Sequence, residues 1–276
     1  MRIPLLAVVL SAALLTGLLP GTAAGETTRG TRGTAAGAHA RTPSVPVDLI
    51  GNRLYESGPL FRRACSVPGL KKNDPKSTAT HLRAWLSCLD RSWRPLLKDA
   101  KLPSAAPKVR FITDPGTAAC GTDWQEVGVA QYCDRTIVIY LKDSILKRPD
   151  PLFLLYLAAY EYGNHVQALS GIAKAADRLK GSAESAQQSE YLRRYNLQAD
   201  CFAGAFIGSV WKSLHRPSRD WGKFLDLVRR GGDDVRGAGD RWHGKGATIV
   251  YWVNRGFSKP SPARCNTWAA AGKSVA

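Results

Sequence analysis

From Asp150 the chain reads DPLFLLYLAAYEYGNHVQAL, and this stretch limits the fold more than any other. Asp150 followed by Pro151 is a strong helix start, with an oxygen to cap the first amides and a ring that presets the first turn. The residues behind it are apolar almost all round, so the helix must be covered on most of its sides. It nevertheless carries Glu161 and His165, and charged or polar groups in such a place are normally paired. The chain therefore has to supply enough structure to surround this helix. The 231 residues from 46 to 276 are enough for one domain with a sizeable core.

The flanking segments indicate how the helix is surrounded. Residues 77–98 place Leu82, Trp85, Leu86, Leu89, Trp93 and Leu96 at helical spacing, with Ser77 or Thr78 as the cap. Pro103 and Pro107 end that run, and 108–113 and 136–141 read as strands rich in branched residues. Further helices are predicted over 184–214, 221–229 and 247–254. Trp211, Trp221, Trp242 and Trp252 are expected in the core. The fold class is α+β, mostly helical with a small β-sheet.

Residues 1–24 read as a secretory signal peptide: Arg2 is a positive start, Leu5 to Leu19 an apolar run, and Thr22-Ala23-Ala24 a small-residue cleavage site. Residues 25–45 are rich in Gly, Thr, Ala and Pro and read as a flexible linker. The apolar run is short for a membrane span, so a secreted protein with no membrane span is expected. Six cysteines in an exported chain imply disulfides. Sequence proximity favours Cys65–Cys88 and Cys120–Cys133, leaving Cys201 with Cys265. The formal charge is +17, and without residues 1–45, which hold four basic residues and one acidic one, it is +14. Such a domain is drawn to anionic surfaces such as a cell-surface polymer. The basic residues are scattered and no nucleic-acid motif accompanies them, so no specific nucleic acid is expected.

A zinc peptidase helix writes H-E-x-x-H, because residues i and i+4 share a face and can grip one ion while the glutamate deprotonates the bound water. Here YEYGNHVQ (160–167) resembles the H-E-Y-G-H-H-V-Q motif of the bacterial neutral zinc metallopeptidase family. NLQADCFAG (196–204) resembles the family's E-L-Q-A-D-C-x-A-G, which supplies the third ligand. The likeness extends to CLDRSW (88–93), YCDRTIVIYL (132–141), GGDD (231–234), HGKGATIVYWVNRGF (243–257) and CNTW (265–268). It implies a zincin-like metallopeptidase domain over 46–276.

The departures fall on the chemistry. By the resemblance, the ligand positions are Tyr160, Asn164 and Asn196, so all three are changed. Glu161 keeps the general-base position, and Asp200 stands where an outer carboxylate would orient a ligand. His243 precedes the last helix, where it can steady an oxyanion. Zinc favours imidazole, thiolate or carboxylate, whereas two amides and a phenol are poor donors for it. The family's zinc is accordingly expected to be absent and no residue is assigned as a metal ligand. Asp200 is expected to accept a hydrogen bond from Tyr160 or Asn164, and His165 to make a structural one. The expected function is a secreted pseudo-peptidase holding a peptide or protein in the residual cleft. Two alternatives stand beside it: a working metallopeptidase with non-standard ligands, and a basic module for an anionic cell-wall or nucleic-acid polymer.

Overall fold

The computed structural model describes residues 45–276 except 115, 117–119, 121–127 and 237–240. The segments read from sequence as a signal peptide and a linker, residues 1–24 and nearly all of 25–45, lie outside the described residues.

A short helix, α1 (Val47–Ile50), leads to the long α2 (Pro75–Asp99). The cap of α2 is Asp74 rather than Ser77 or Thr78; its side chain accepts from the Ser77 amide, and Pro75 occupies the first turn. The apolar positions predicted for this helix, from Leu82 to Leu96, are all buried.

Three strands follow: β1 (Lys108–Ile112), β2 (Ala130–Cys133) and β3 (Thr136–Tyr140), in the order β1-β3-β2. β1 pairs parallel to β3, with Lys108 opposite Thr136, and β2 pairs antiparallel to it, with Cys133 opposite Thr136. β2 was not anticipated, because AQYC is short and lacks an alternating pattern. It is defined by the two-residue turn at Asp134 and Arg135, both at positive φ (44° and 59°), which returns the chain directly into β3.

After α3 (Asp143–Lys147), the central helix α4 runs Pro151–Leu169, and the Asp150 side chain accepts from the amides of Leu152 and Phe153. Then come α5 (Ile172–Gly181), which the sequence reading did not identify, and α6 (Ser185–Val210). The predicted helix over 184–214 stops as an α-helix at Val210 and tightens to a 3₁₀ turn over Trp211–Leu214. The chain closes with α7 (Ser218–Arg229), the short α8 (Asp233–Arg236) and α9 (Gly246–Ser258). The architecture is α+β, mostly helical around α4 and α6, with the small sheet on the β2 side of α4.

Helix α6 is flanked by α4 and α9, and glycines set its separation from both. A Cβ on Gly204 would lie 2.0 Å from the Val253 carbonyl oxygen, and one on Gly256 would lie 2.0 Å from that of Cys201. On the other side Gly163 of α4 faces the backbone of Ala199, where a Cβ would sit 3.2 Å from its carbonyl oxygen. Disulfides join Cys65 to Cys88, Cys120 to Cys133 and Cys201 to Cys265, the last fastening α6 to the C-terminal segment. Trp221 and Trp252 are core residues, and Trp221 stacks on Phe257 at 3.8 Å. Trp211 is only half-buried. Trp242 corrects the expectation: it is 43% exposed, because it sits in the segment before α9 rather than on a buried helix face.

Placing a methyl group where backbone meets backbone leaves the helices no alternative but to separate. Gly204→Ala or Gly256→Ala is expected to cost about 3 kcal/mol or more, read as a large fall in melting temperature. An unchanged transition in either variant would contradict this packing.

Candidate functional site

The helical period of α4 puts Tyr156, Tyr160 and Asn164 on one face, toward α6, with Glu161 beside it. Asn196 and Asp200 stand four residues apart on α6. The close approach at Gly163 brings the two rows into contact, and the polar groups satisfy one another. Tyr160 donates from Oη to Asn196 Oδ1 at 3.3 Å, and the Asn196 amide donates to the Trp242 carbonyl at 2.9 Å. Asn164 donates from its amide to Glu161 Oε2 at 3.3 Å.

Asp200 takes its hydrogen bond from Tyr156, not from Tyr160 or Asn164 as expected. Tyr160 and Asn164 engage Asn196 and Glu161 instead. Tyr156 was missed, although its position one helical turn before Tyr160 was the available signal.

Both acids are buried, and burial raises their pKa values. Glu161 is pushed up to about 7 from 4.5, partly offset by the Asn164 hydrogen bond. Asp200 is pushed up to about 7 from 3.8, partly offset by Tyr156. Near neutral pH the cluster therefore carries less negative charge than two fully ionised carboxylates would.

Surrounding contacts hold the cluster in place. His165 is buried and makes the structural bonds anticipated for it: one ring nitrogen lies 2.8 Å from the Ala105 carbonyl and the other 2.9 Å from Tyr132 Oη on β2. A carbonyl only accepts, so Nε2 carries the proton and Nδ1 accepts from the phenol. Burial pushes this imidazole's pKa down, in keeping with the neutral form. Gln167 donates to the Tyr195 carbonyl and to Gln198, and Gln198 donates to Tyr55 Oη and the Cys265 carbonyl. Tyr162 reaches Asp90 on α2 at 3.0 Å.

His243 lies in the segment that brings the Trp242 carbonyl to Asn196. One carboxylate oxygen of buried Asp233 accepts from the amides of His243 and Gly244, and Asp234 accepts from Gly246. The His243 ring places Nδ1 3.4 Å from the other Asp233 oxygen. Asp233 was not singled out from the sequence, though GGDD had been noted.

The residues at the expected ligand positions do not fit zinc. A phenol and two carboxamides offer neutral oxygens, and both ends of the Asn196 amide are held by protein groups. Among the described residues, no three His, Cys, Asp or Glu side chains gather as a metal-binding group.

Comparison with known proteins gives these positions a context. The model of a family described as putative neutral zinc metallopeptidase matches residues 62–268. The uncharacterized protein YpfJ of Escherichia coli K12 is 34% identical over 128 residues, covering 44% of each chain. The chain thus matches less than half the length of that relative. The uncharacterized proteins Mb2605 of Mycobacterium bovis and Rv2575 of Mycobacterium tuberculosis are each 29% identical over 209 residues, or 66% of this chain and 68% of theirs. No solved structure matches the chain.

The raised carboxyl pKa values fix a sign for pH dependence. An acid that holds its proton more tightly when folded imposes no cost at low pH. Its cost grows as pH rises from about 4 and is fully present above its folded pKa of about 7. Each group contributes on the order of 3 kcal/mol. The melting temperature is expected to fall between pH 5 and pH 8, and Glu161→Gln, whose amide oxygen still accepts from Asn164, should remove a substantial part of that fall. An identical slope in the variant would show that Glu161 does not titrate in this way.

Proposed function

Because the chain belongs to the putative neutral zinc metallopeptidase family, we propose that it is an exported metallopeptidase-like protein that has given up zinc hydrolysis and keeps the cleft as a binding site. The observation that carries this reading is the hydrogen-bonded set Tyr160–Asn196–Trp242 with Asn164–Glu161, at positions that the resemblance to the family motif assigns to metal ligands and base. Hydrolysis in a zincin needs a metal to polarise the carbonyl and to acidify water. A phenol binds zinc only after losing its proton, and carboxamides are weak donors to it. Glu161 retains its position but has no acidified water to deprotonate. The stabilising role left to it is to accept from Asn164.

Export is supported by the composition of residues 1–24 and by three disulfides, which persist in oxidising compartments. Among the described residues no helix is long and apolar enough to cross a membrane.

Metal content provides the test. The purified, untagged protein, dialysed against zinc and then metal-free buffer, should retain less than about a tenth of an equivalent by mass spectrometry. The triple variant Tyr160→His, Asn164→His, Asn196→Glu should retain close to one equivalent, because it restores two imidazoles and a carboxylate on an otherwise matching frame. Near-stoichiometric zinc in the unmodified protein, lost on Glu161→Ala, would defeat the proposal.

A further inference from the structure

The exposed face of α2 is charged in a way that the helix's own stability does not call for. One side of this 25-residue helix is core, with Leu82, Trp85, Leu89, Trp93 and Leu96 all buried. At about 100° per residue, the opposite side gathers Lys76, Arg83, Arg91, Arg94 and Lys98 within an arc of about 80°, with Thr80 and Ser87 between them. All seven are exposed. From Lys76 to Lys98 the row rises about 33 Å. Residues 71–110 hold ten basic and three acidic residues, and this excess of seven is half of the +14 on residues 46–276 in about a sixth of that length.

Other helices of this molecule pair their surface charges along the chain. Lys147 meets Asp143 on α3, Lys180 meets Asp177 on α5, and Arg194 meets Glu190 on α6. On α2 the pair described is Arg94 with Asp90, whose second oxygen accepts from Tyr162. The neighbours of Arg94 at three and four residues, Arg91 and Lys98, repeat its sign, an arrangement that weakens a helix. Lys76 lies in a first turn that holds no acidic residue, where the helix dipole disfavours a cation. The remaining acids do not cancel the row. Asp99 is turned about 120° from its middle, and Asp74, the N-cap, is outnumbered by exposed Lys71 and Lys72. The Arg83 guanidinium carbon lies 4.8 Å from the centre of the Phe111 ring, and Arg91 donates to Ser87 Oγ at 2.8 Å, so neither charge is met by a carboxylate there. Where a sequence sets aside local stability on one face, function is the usual cause.

We propose that this face of α2 binds a linear phosphodiester polymer of the cell surface, its phosphates lying along Lys76, Arg83, Arg91, Arg94 and Lys98. The cell-surface source rests on the reading of the chain as exported, and nothing in the inference depends on the zinc positions or the cleft. The row carries no apolar residue, so it lacks the core of a protein interface and the anchor of a membrane-bound helix. It offers no exposed aromatic ring on which bases would stack. What it does offer is a succession of cations, three of them arginines whose forked donors match phosphate oxygens, and a chain with one charge per repeat meets several at once.

The test is fluorescence anisotropy of the purified protein with three labelled probes of similar length: poly(glycerol phosphate), oligothymidylate and polyglutamate. Poly(glycerol phosphate) is expected to bind with a Kd of about 1–10 μM in about 0.1 M salt. The logarithm of its affinity should fall against that of salt with a slope of about −3, as for four or five neutralised phosphates. Arg91→Glu with Lys98→Glu should weaken binding about twentyfold and bring the slope to about −1.5. Lys174→Glu with Lys259→Glu makes the same charge change on α5 and after α9, and should stay within about twofold of the unmodified protein. If the first pair lowers the melting transition, Arg91→Gln with Lys98→Gln provides the readout, with about fivefold weaker binding expected. An equal loss in the Lys174 and Lys259 pair, tighter binding of oligothymidylate or polyglutamate, or no binding of poly(glycerol phosphate) below about 100 μM would each overturn the proposal. Fractionation of the producing cells keeps the two readings apart: retention inside the cell defeats export and with it the source, whereas absent binding by the purified protein defeats only the binding face.

Discussion

Backbone contact along one helix governs this molecule. Helix α6 lies against α9 with no side chain between Gly204 and the Val253 carbonyl, or between Gly256 and that of Cys201. On its other side Ala199 meets Gly163 of α4. Where α4 and α6 approach at Gly163, the polar side chains on their facing sides come within hydrogen-bond reach of one another. A buried polar group without a partner costs more than a made hydrogen bond returns. The cluster of Tyr156, Tyr160, Asn164, Glu161, Asn196 and Asp200 therefore has to be consistent within itself.

That requirement explains why Tyr160, Asn164 and Asn196 form a set. Tyr160, Asn164 and Asn196 bring donors and acceptors that must find one another. Tyr160 has Asn196 within reach, Asn196 has the Trp242 carbonyl, and Asn164 has Glu161. Asp200 takes the phenol of Tyr156. Each bond is ordinary, but together they satisfy the polar groups between α4 and α6 within the cluster itself. The cost is carried by the two carboxyl groups, which burial drives toward their protonated forms.

Much of the fold was legible because it is written in periodicity and capping. The buried helix followed from Asp150-Pro151 and an apolar surface on all sides, and α2 from its spaced leucines and tryptophans. What escaped depended on contacts distant in sequence. β2 exists because a two-residue turn folds it onto β3, and α5 starts after Gly171 with no side-chain cap to mark its beginning. Trp242 looked like core by residue type, yet no helix carries it inward. The motifs located Glu161, Asn164 and Asn196, but helix spacing alone did not assign Asp200 to Tyr156. Nor did GGDD disclose that Asp233 grips the segment carrying His243, a bond between residues ten apart in sequence.

That grip has a mechanical meaning. One oxygen of Asp233 is shared by two consecutive amides, Asp234 holds a third, and the Asp233 amide returns a bond to the Gly244 carbonyl. To displace Trp242 or His243, several bonds to a buried carboxylate must open together. On the proposed reading of this site as a binding cleft, its wall is already set before anything arrives, and an incoming chain orders only itself. Association then depends on how readily the visitor gives up its own freedom, and a stiff, extended visitor is favoured over a supple one.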